Sequence, residues 1–409
     1  MKSSLISISL PSLLRVCGLA ISLLALVPVS AQIQYHKYYD GQPRQMAVEG
    51  MMSDDSVRYG LWTWWHHNGK VFQQGSYDNN GNKTGTWQQF YEDGAKRAEE
   101  CHSNGTSRMW YHDGTLESEV PVVNGHKHGL YKSWYPNGQL KEEIPFVNGV
   151  KQGKSSEWHD NGKKKFEGTY RDNELNGPAT WWTNLGKLDM RGSLDAGEQQ
   201  GEWLFYWRTN GNLGIRGNYS HGVESGVWTY YYETGEKWRE GSYSNGDKTG
   251  KWTTWYESGR KLHEGNYVNG KEEGVWTAWY EDGSIDYTGS FRQGKKDGEW
   301  KAFYDDGRPR YIMHFSADEK DGEEIRYFPN GKIESRSNYK NGSWHGRYER
   351  YNSAGKPEEQ GSFVNGEKDG RWVLYDATGK VAMEMTFKAG KQTSSADKKP
   401  SGHGRTGDF

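Results

Sequence analysis

The stretch Gly250 to Gly274 reads G-K-W-T-T-W-Y-E-S-G-R-K-L-H-E-G-N-Y-V-N-G-K-E-E-G, and residues 60–392 are variations on it. Its opening glycine recurs at Gly60, Gly85, Gly105, Gly129, Gly153, Gly177, Gly201, Gly226, Gly250, Gly274, Gly298, Gly322, Gly346 and Gly370, 14 copies in all. From Gly105 onward the step is 24 residues, once 25. The earlier steps are 25 and 20, the short one reading as a four-residue deletion after Asn104. Self-similarity at such a period specifies a repeat architecture, and it overrides the several globular domains that a chain of 409 residues would otherwise suggest.

Positions are counted here from each opening glycine, so that Trp252 stands at position 2 of its repeat and Trp255 at position 5. A second glycine follows at position 9, or 10 in one copy, and Asn or Asp precedes it in 9 of 14 copies, as in Asn68-Gly69, Asp93-Gly94 and Asn137-Gly138. Such a pair supplies the two positive-φ residues of a type I′ hairpin turn. Position 5 is aromatic in all 14 copies, position 2 is Trp in 8, and position 17 is Tyr or Phe in 11. Each unit therefore reads as strand, tight turn, strand, looser turn. Positions 2 and 5 differ in parity, so a regular strand directs them to opposite faces, whereas a bulge between them would bring them to one. A lone hairpin is marginal, so the repeats need one another. The expected fold is all-β, an elongated single-sheet solenoid of about 14 antiparallel β-hairpin repeats of about 24 residues. About 28 strands at the usual spacing would make a ribbon on the order of 130 Å long.

The pattern G-x-W-x-x-[WYF]-Y-x-x-G-x-x-x-x-x-G-x-[YF]-x-x-G-x-x-x-G resembles MORN (membrane occupation and recognition nexus) repeats. It is most similar to the longer bacterial variant found in many antitoxin-like proteins. Gly250–Gly274 and Gly274–Gly298 carry the pattern fully, whereas Gly105–Gly129 and Gly322–Gly346 have Ser107 and Glu324 in place of Trp. The resemblance covers about four fifths of the chain. It is specific for fold and uninformative about function, because such repeats are generic scaffolds. What it implies is a protein-interaction scaffold, with an antitoxin-like role as one form.

The ends read differently. Residues 1–31 carry Lys2 and Arg15, an apolar run from Val16 to Val29, and the small residues Ser30 and Ala31, the pattern of a cleaved secretory signal. An exported protein is expected, whether periplasmic, outer-envelope or extracellular. Removing two cations and no acids would take the net charge from −2 to −4. A slightly acidic chain lacks the basic footprint that nucleic acid requires. Only Cys101 would remain of the two cysteines, which leaves no intramolecular disulfide. Residues 32–59 read as a degenerate N-terminal cap in which Gly50 and Met52 take the places of Gly75 and Tyr77 one unit later. Residues 393–409 lose the period and read as a disordered tail.

No catalytic or cofactor constellation stands out. His66-His67 and His126-x-His128 are the nearest approach to a metal-ligand spacing, yet no Cys or carboxylate recurs with them. Asp78-Asn79-Asn80-Gly81-Asn82 lacks the Glu that closes a calcium loop. Gly402-His403-Gly404-Arg405-Thr406-Gly407 matches a dinucleotide fingerprint without the strand and helix that give it meaning. Neither an enzyme nor a cofactor is expected.

The aromatic rows remain. Position 5 has no gap, whereas position 2 lapses to Ser107, Ser155, Ala179 and Glu324. A row that stability depends on should tolerate no gap, so position 5 is expected to be core. Trp203, Trp228, Trp252, Trp276 and Trp300, the unbroken run at position 2, are then the candidate exposed binding face. On this reading Trp255→Ala costs more stability than Trp252→Ala. The expected occupant is a protein partner; the alternative is an envelope glycan, cell-wall polymer or lipid surface meeting the Trp and Tyr rows. The period itself gives a test. Deleting one whole unit, Gly250–Glu273, should leave a folded protein, because units meet only their neighbours. Deleting twelve residues should remove a strand and unfold the array locally. Equal melting curves for the two deletions would mean that the unit boundaries are misplaced.

Overall fold

The computed structural model describes residues 33–40 and 45–397. The signal-like segment 1–31 and the end of the tail, 398–409, lie outside the described residues. The chain forms two compact units, Met1–Glu198 and Gln199–Phe409. Both share one construction. All regular elements among the described residues are strands, and within each unit they form an open antiparallel sheet in which the long strands of successive hairpins pair in chain order.

The turns show why. In the repeat opening at Gly250, the strand Asp247–Trp255 runs into a turn in which the Gly259 N–H donates to the Tyr256 carbonyl at 2.9 Å and the Tyr256 N–H to the Arg260 carbonyl at 2.8 Å. Gly259 is left-handed, with φ of 81°, and the residue before it is not. This is a type I turn closed by a glycine bulge, so the type I′ turn expected at this place is not what forms. The type I′ turn sits at the other end of the hairpin, after the strand Lys261–Val268, where Asn269 and Gly270 have φ of 49° and 75°. Asn-Gly suits both turns, because each needs a left-handed glycine and only the second also needs a left-handed residue before it.

Successive repeats are laced through these turns. The Gly270 N–H donates to the Lys248 carbonyl at 3.0 Å, and the bond recurs from Gly246 to Glu224 and from Gly294 to Glu272. At the type I turns, the Asn68, Asn137 and Asn330 amides donate to the Glu92, Asp160 and Ser353 carbonyls of the following repeat. The short repeat places its deletion between His102 and Ser103 rather than after Asn104. His102 takes the place of the position-17 aromatic, its ring edge-on to Trp87 at 6.2 Å, while Ser103 accepts the bond from Gly125 that marks the start of the next repeat. The four missing residues are those of a type I′ turn.

The core depends on a bulge at the opening glycine. Glu240 pairs with Thr253 and Ser242 with Thr249, so Gly241 alone faces the three residues Gly250, Lys251 and Trp252. Gly250 absorbs the bend with φ of 63°, and the Trp252 indole is laid over the Gly241 backbone. A Cβ on Gly241 would fall 2.1 Å from the indole, well inside contact distance. The indole N–H donates to the next carbonyl, that of Ser242, at 3.2 Å. In the first unit Trp62 lies so on Gly50 and Trp87 on Gly75; in the second Trp228, Trp252, Trp276, Trp300 and Trp372 lie on Gly217, Gly241, Gly265, Gly289 and Gly361. Where Trp is absent the floor changes too. Tyr131, Ser155, Glu324 and Tyr348 follow Val120, Ile144, Met313 and Ser337 at the glycine's place. Ala179 follows a glycine, Gly168, and there the Phe166 ring fills the space.

The two ends differ in outcome. Gly50, in the strand Met46–Met52, floors Trp62 as Gly75 floors Trp87. The tail is ordered further than expected. Lys391–Asp397 is a strand paired with Val381–Lys388, joined by a further type I′ turn at Ala389-Gly390, with φ of 46° and 76°.

The glycine–indole contact yields a double-mutant test. Gly241→Ala should destabilise the protein by about 1–3 kcal/mol through overpacking. Combined with Trp252→Ala, it should add little, because the ring it strikes is gone. Additive melting shifts would show that the contact is not the constraint.

Candidate binding surface

The five tryptophans expected to form an exposed face are buried. Trp203, Trp228, Trp252, Trp276 and Trp300 are between 2% and 7% exposed. The rings of Trp228, Trp252, Trp276 and Trp300 are floored by backbone and walled by neighbours. Tyr243 of the preceding repeat and Tyr267 of its own stand edge-on to Trp252, at 5.2 and 6.0 Å, and the pattern continues through Trp276, Phe291 and Trp300. Edge-to-face packing suits the ring quadrupoles. Lys248, at position −2, lays its ammonium 4.8 Å from the centroids of both Trp252 and Tyr267. Lys296 and Lys368 do the same for Trp300 and Trp372. This aromatic face of the sheet is the core, closed by its own side chains.

Position 5 lies on the other face. The register slips between Thr254 and Trp255, at the same point in the other hairpins, yet Trp255 stays on the side of Thr253 and away from Trp252. Its ring is half-buried in every repeat. Around it the sequence places a polar cluster. The Thr229 hydroxyl donates to Glu240 at 3.0 Å, and the Lys237 ammonium bonds the same carboxylate at 2.8 Å while lying 5.7 Å from the Trp255 ring. One repeat on, Thr253, Lys261, Glu264 and Trp279 repeat the arrangement, with Lys251 as a second cation on Glu264 at 2.7 Å. Burial alone would raise the two carboxyls; the lysines and threonines outweigh it and hold both below the usual carboxylate range. Two shallow hollows open here, one of about 420 Å³ lined by Glu236, Lys237, Trp255 and Gly259, the other of about 520 Å³ lined by Arg260, Lys261, Trp279, Asp282 and Gly283. Strand spacing puts the two about 10 Å apart.

Position 6 was present in the sequence pattern without a role. The hydroxyls of Tyr232, Tyr256, Tyr280 and Tyr304 donate to the position-5 carbonyls of the next repeat, at 2.7 to 2.9 Å. Tyr91, Tyr111 and Tyr135 do so in the first unit. In these repeats the backbone that carries the half-open ring is thus tied to the repeat before it. The histidines take structural places as well: His66 contacts the Phe90 carbonyl, and His128 contacts Asn148 in a turn. Among the described residues no three His, Cys, Asp or Glu side chains are grouped to hold a metal, and no helix is long and apolar enough to cross a membrane.

Eleven segments of the chain match the MORN repeat variant: 58–79, 103–124, 127–148, 151–172, 224–245, 248–269, 272–293, 296–317, 320–341, 344–365 and 368–389. They make up more than half of the sequence, and the protein belongs to the MORN repeat variant family. The Ser107 and Glu324 repeats are included. No curated protein matches. Among solved structures, the chain is similar to the crystal structure of TcdB2-TccC3-Cdc42, at 12% identity over 90% of this chain and 23% of that one, with a TM-score of 0.16. It is also similar to the Photorhabdus luminescens Tc holotoxin pore carrying TccC3-D651A, at 13% identity over 90% and 23%, with a TM-score of 0.15. The chain thus spans about a quarter of the length of the structures it matches, and at such scores the superposition carries no functional argument.

Burial reverses the expected order of the two rows. Trp252→Ala should cost about 3–5 kcal/mol, as the loss of a buried ring does. Trp255→Ala should cost roughly 1–2 kcal/mol, for the smaller area that it covers. Thermal melts of the two variants decide it, and an equal or larger loss for Trp255→Ala would restore position 5 to the core.

Proposed function

We propose that this chain is a non-enzymatic, exported repeat scaffold that binds a protein partner through its polar face, an antitoxin-like inhibitory contact being one form of that interaction. The observation that carries the reading is the recurrence, at 24-residue steps, of a half-open ring beside a lysine and a glutamate around Trp255 and Trp279. Protein interfaces favour such surfaces, with an aromatic anchor ringed by polar groups. The tyrosine clamps hold the rings in place before any partner arrives, which lowers the ordering cost of binding. Export follows from the signal-like segment 1–31. A glycan reading rests on the same hollows, since sugar rings stack on Trp and their hydroxyls bond Lys and Glu.

The test compares the wild-type chain with a Trp255→Ala/Trp279→Ala double variant, after both are shown to be folded, in a pull-down from envelope extract. A partner retained by the wild type and lost by the variant is expected. Co-sedimentation with insoluble cell-wall polysaccharide forms the second arm. Retention of the same protein by both chains would remove the polar face from the reading, and polysaccharide binding without a protein partner would favour the glycan.

A further inference from the structure

On the aromatic face, one short tract departs from the core pattern. Arg239 and His263 hold position 13 in adjacent repeats, and Thr254 lies between them, paired across the strands with both. The Arg239 guanidinium sits among rings, 4.7 Å from the centroid of Tyr230 and 5.2 Å from those of Trp238 and Trp252. Rings attract a cation but accept no conventional hydrogen bond from it. The buried Nε of Arg239 has no hydrogen-bond partner, nor has the buried Nδ1 of His263. Lys248 is the second cationic side chain here, its ammonium 4.8 Å from the Trp252 centroid. Burial first, and then the charge of Arg239, hold both Lys248 and His263 below their ordinary values. Glu272 acts on Lys248 through charge alone, and Glu224 acts in the same way on the neighbouring Tyr243.

A guanidinium in such a place invites a carboxylate, whose two oxygens match the planar fork. The apolar part of such a ligand has a seat beside it. Trp238 is 39% exposed, and Tyr230 and Tyr232 lie 6.2 and 6.3 Å from its centroid. We propose that Arg239, with His263 and Lys248 behind it, binds the carboxylate of an aromatic or apolar ligand whose ring lies against Trp238. This site lies on the face opposite the Trp255 hollows and stands independently of the scaffold reading. Arg239 supplies the directed hydrogen bonds and Lys248 the further positive potential, while His263, held uncharged by burial and by those two cations, offers a ring nitrogen without a partner.

The test is isothermal titration of the full chain with benzoate, with inorganic phosphate as the contrasting anion. Benzoate should bind and phosphate should bind more weakly. Arg239→Lys, which keeps the charge and the stem but loses the fork, should weaken benzoate about tenfold or more. Trp238→Ala should weaken benzoate and leave phosphate unchanged, and this exposed ring can be removed even if the Arg239 variant does not fold. Absence of benzoate binding, phosphate binding as tightly as benzoate, or a Trp238→Ala chain that binds benzoate as the wild type does would each overturn the proposal.

Discussion

An indole lying flat on a glycine backbone is the contact on which the rest of this protein depends. It needs two residues from different repeats, one large and flat, the other without a side chain. It also needs the bulge at the opening glycine, which moves Trp252 out of register with the preceding strand and over Gly241. A single sheet without covering helices has no second layer to bury its apolar side chains. Here the backbone of one repeat serves as the floor for the ring of the next. Stability is therefore carried between neighbours, as expected of a quasi-one-dimensional array.

The exceptions show the same constraint from the other side. A residue with a Cβ at the glycine's place excludes the indole, and the chain substitutes at both positions together. At Glu324 the exchange leaves a carboxylate only 2% exposed. Burial works to raise this carboxyl, but Lys320 at 3.1 Å, Tyr339 and the charge of Arg326 outweigh it and hold the group below its ordinary value. The pair with Arg326, at 2.8 Å, completes its surroundings. A buried carboxylate survives in a core position only with such partners.

The same packing divides the two faces by role. Closing the aromatic face with tyrosine edges and lysine ammonium groups leaves the polar face as the one where rings stay half-open. Their exposure is set by strand parity, and where position 6 is Tyr its hydroxyl anchors the backbone that carries them. The tract around Arg239 is the local departure, where Arg239 and His263 stand at the position held by Ile215 and Tyr287 in the flanking repeats and leave buried nitrogens without partners.

The sequence by itself determined the period, the hairpin, the all-β class and the family. These follow from glycines at fixed spacing and aromatics at fixed positions, which are local facts. It misplaced the type I′ turn, because Asn-Gly satisfies both loops and only the hydrogen-bond register separates them. It also exchanged the two aromatic rows. Counting gaps along position 2 made that row look dispensable, since the compensating change at Ile144 for Ser155, or at Met313 for Glu324, lies in the preceding repeat. Only the tertiary structure decided which row is buried, because that depends on what lies beneath a ring one repeat away. No property of the ring's own strand contains that information.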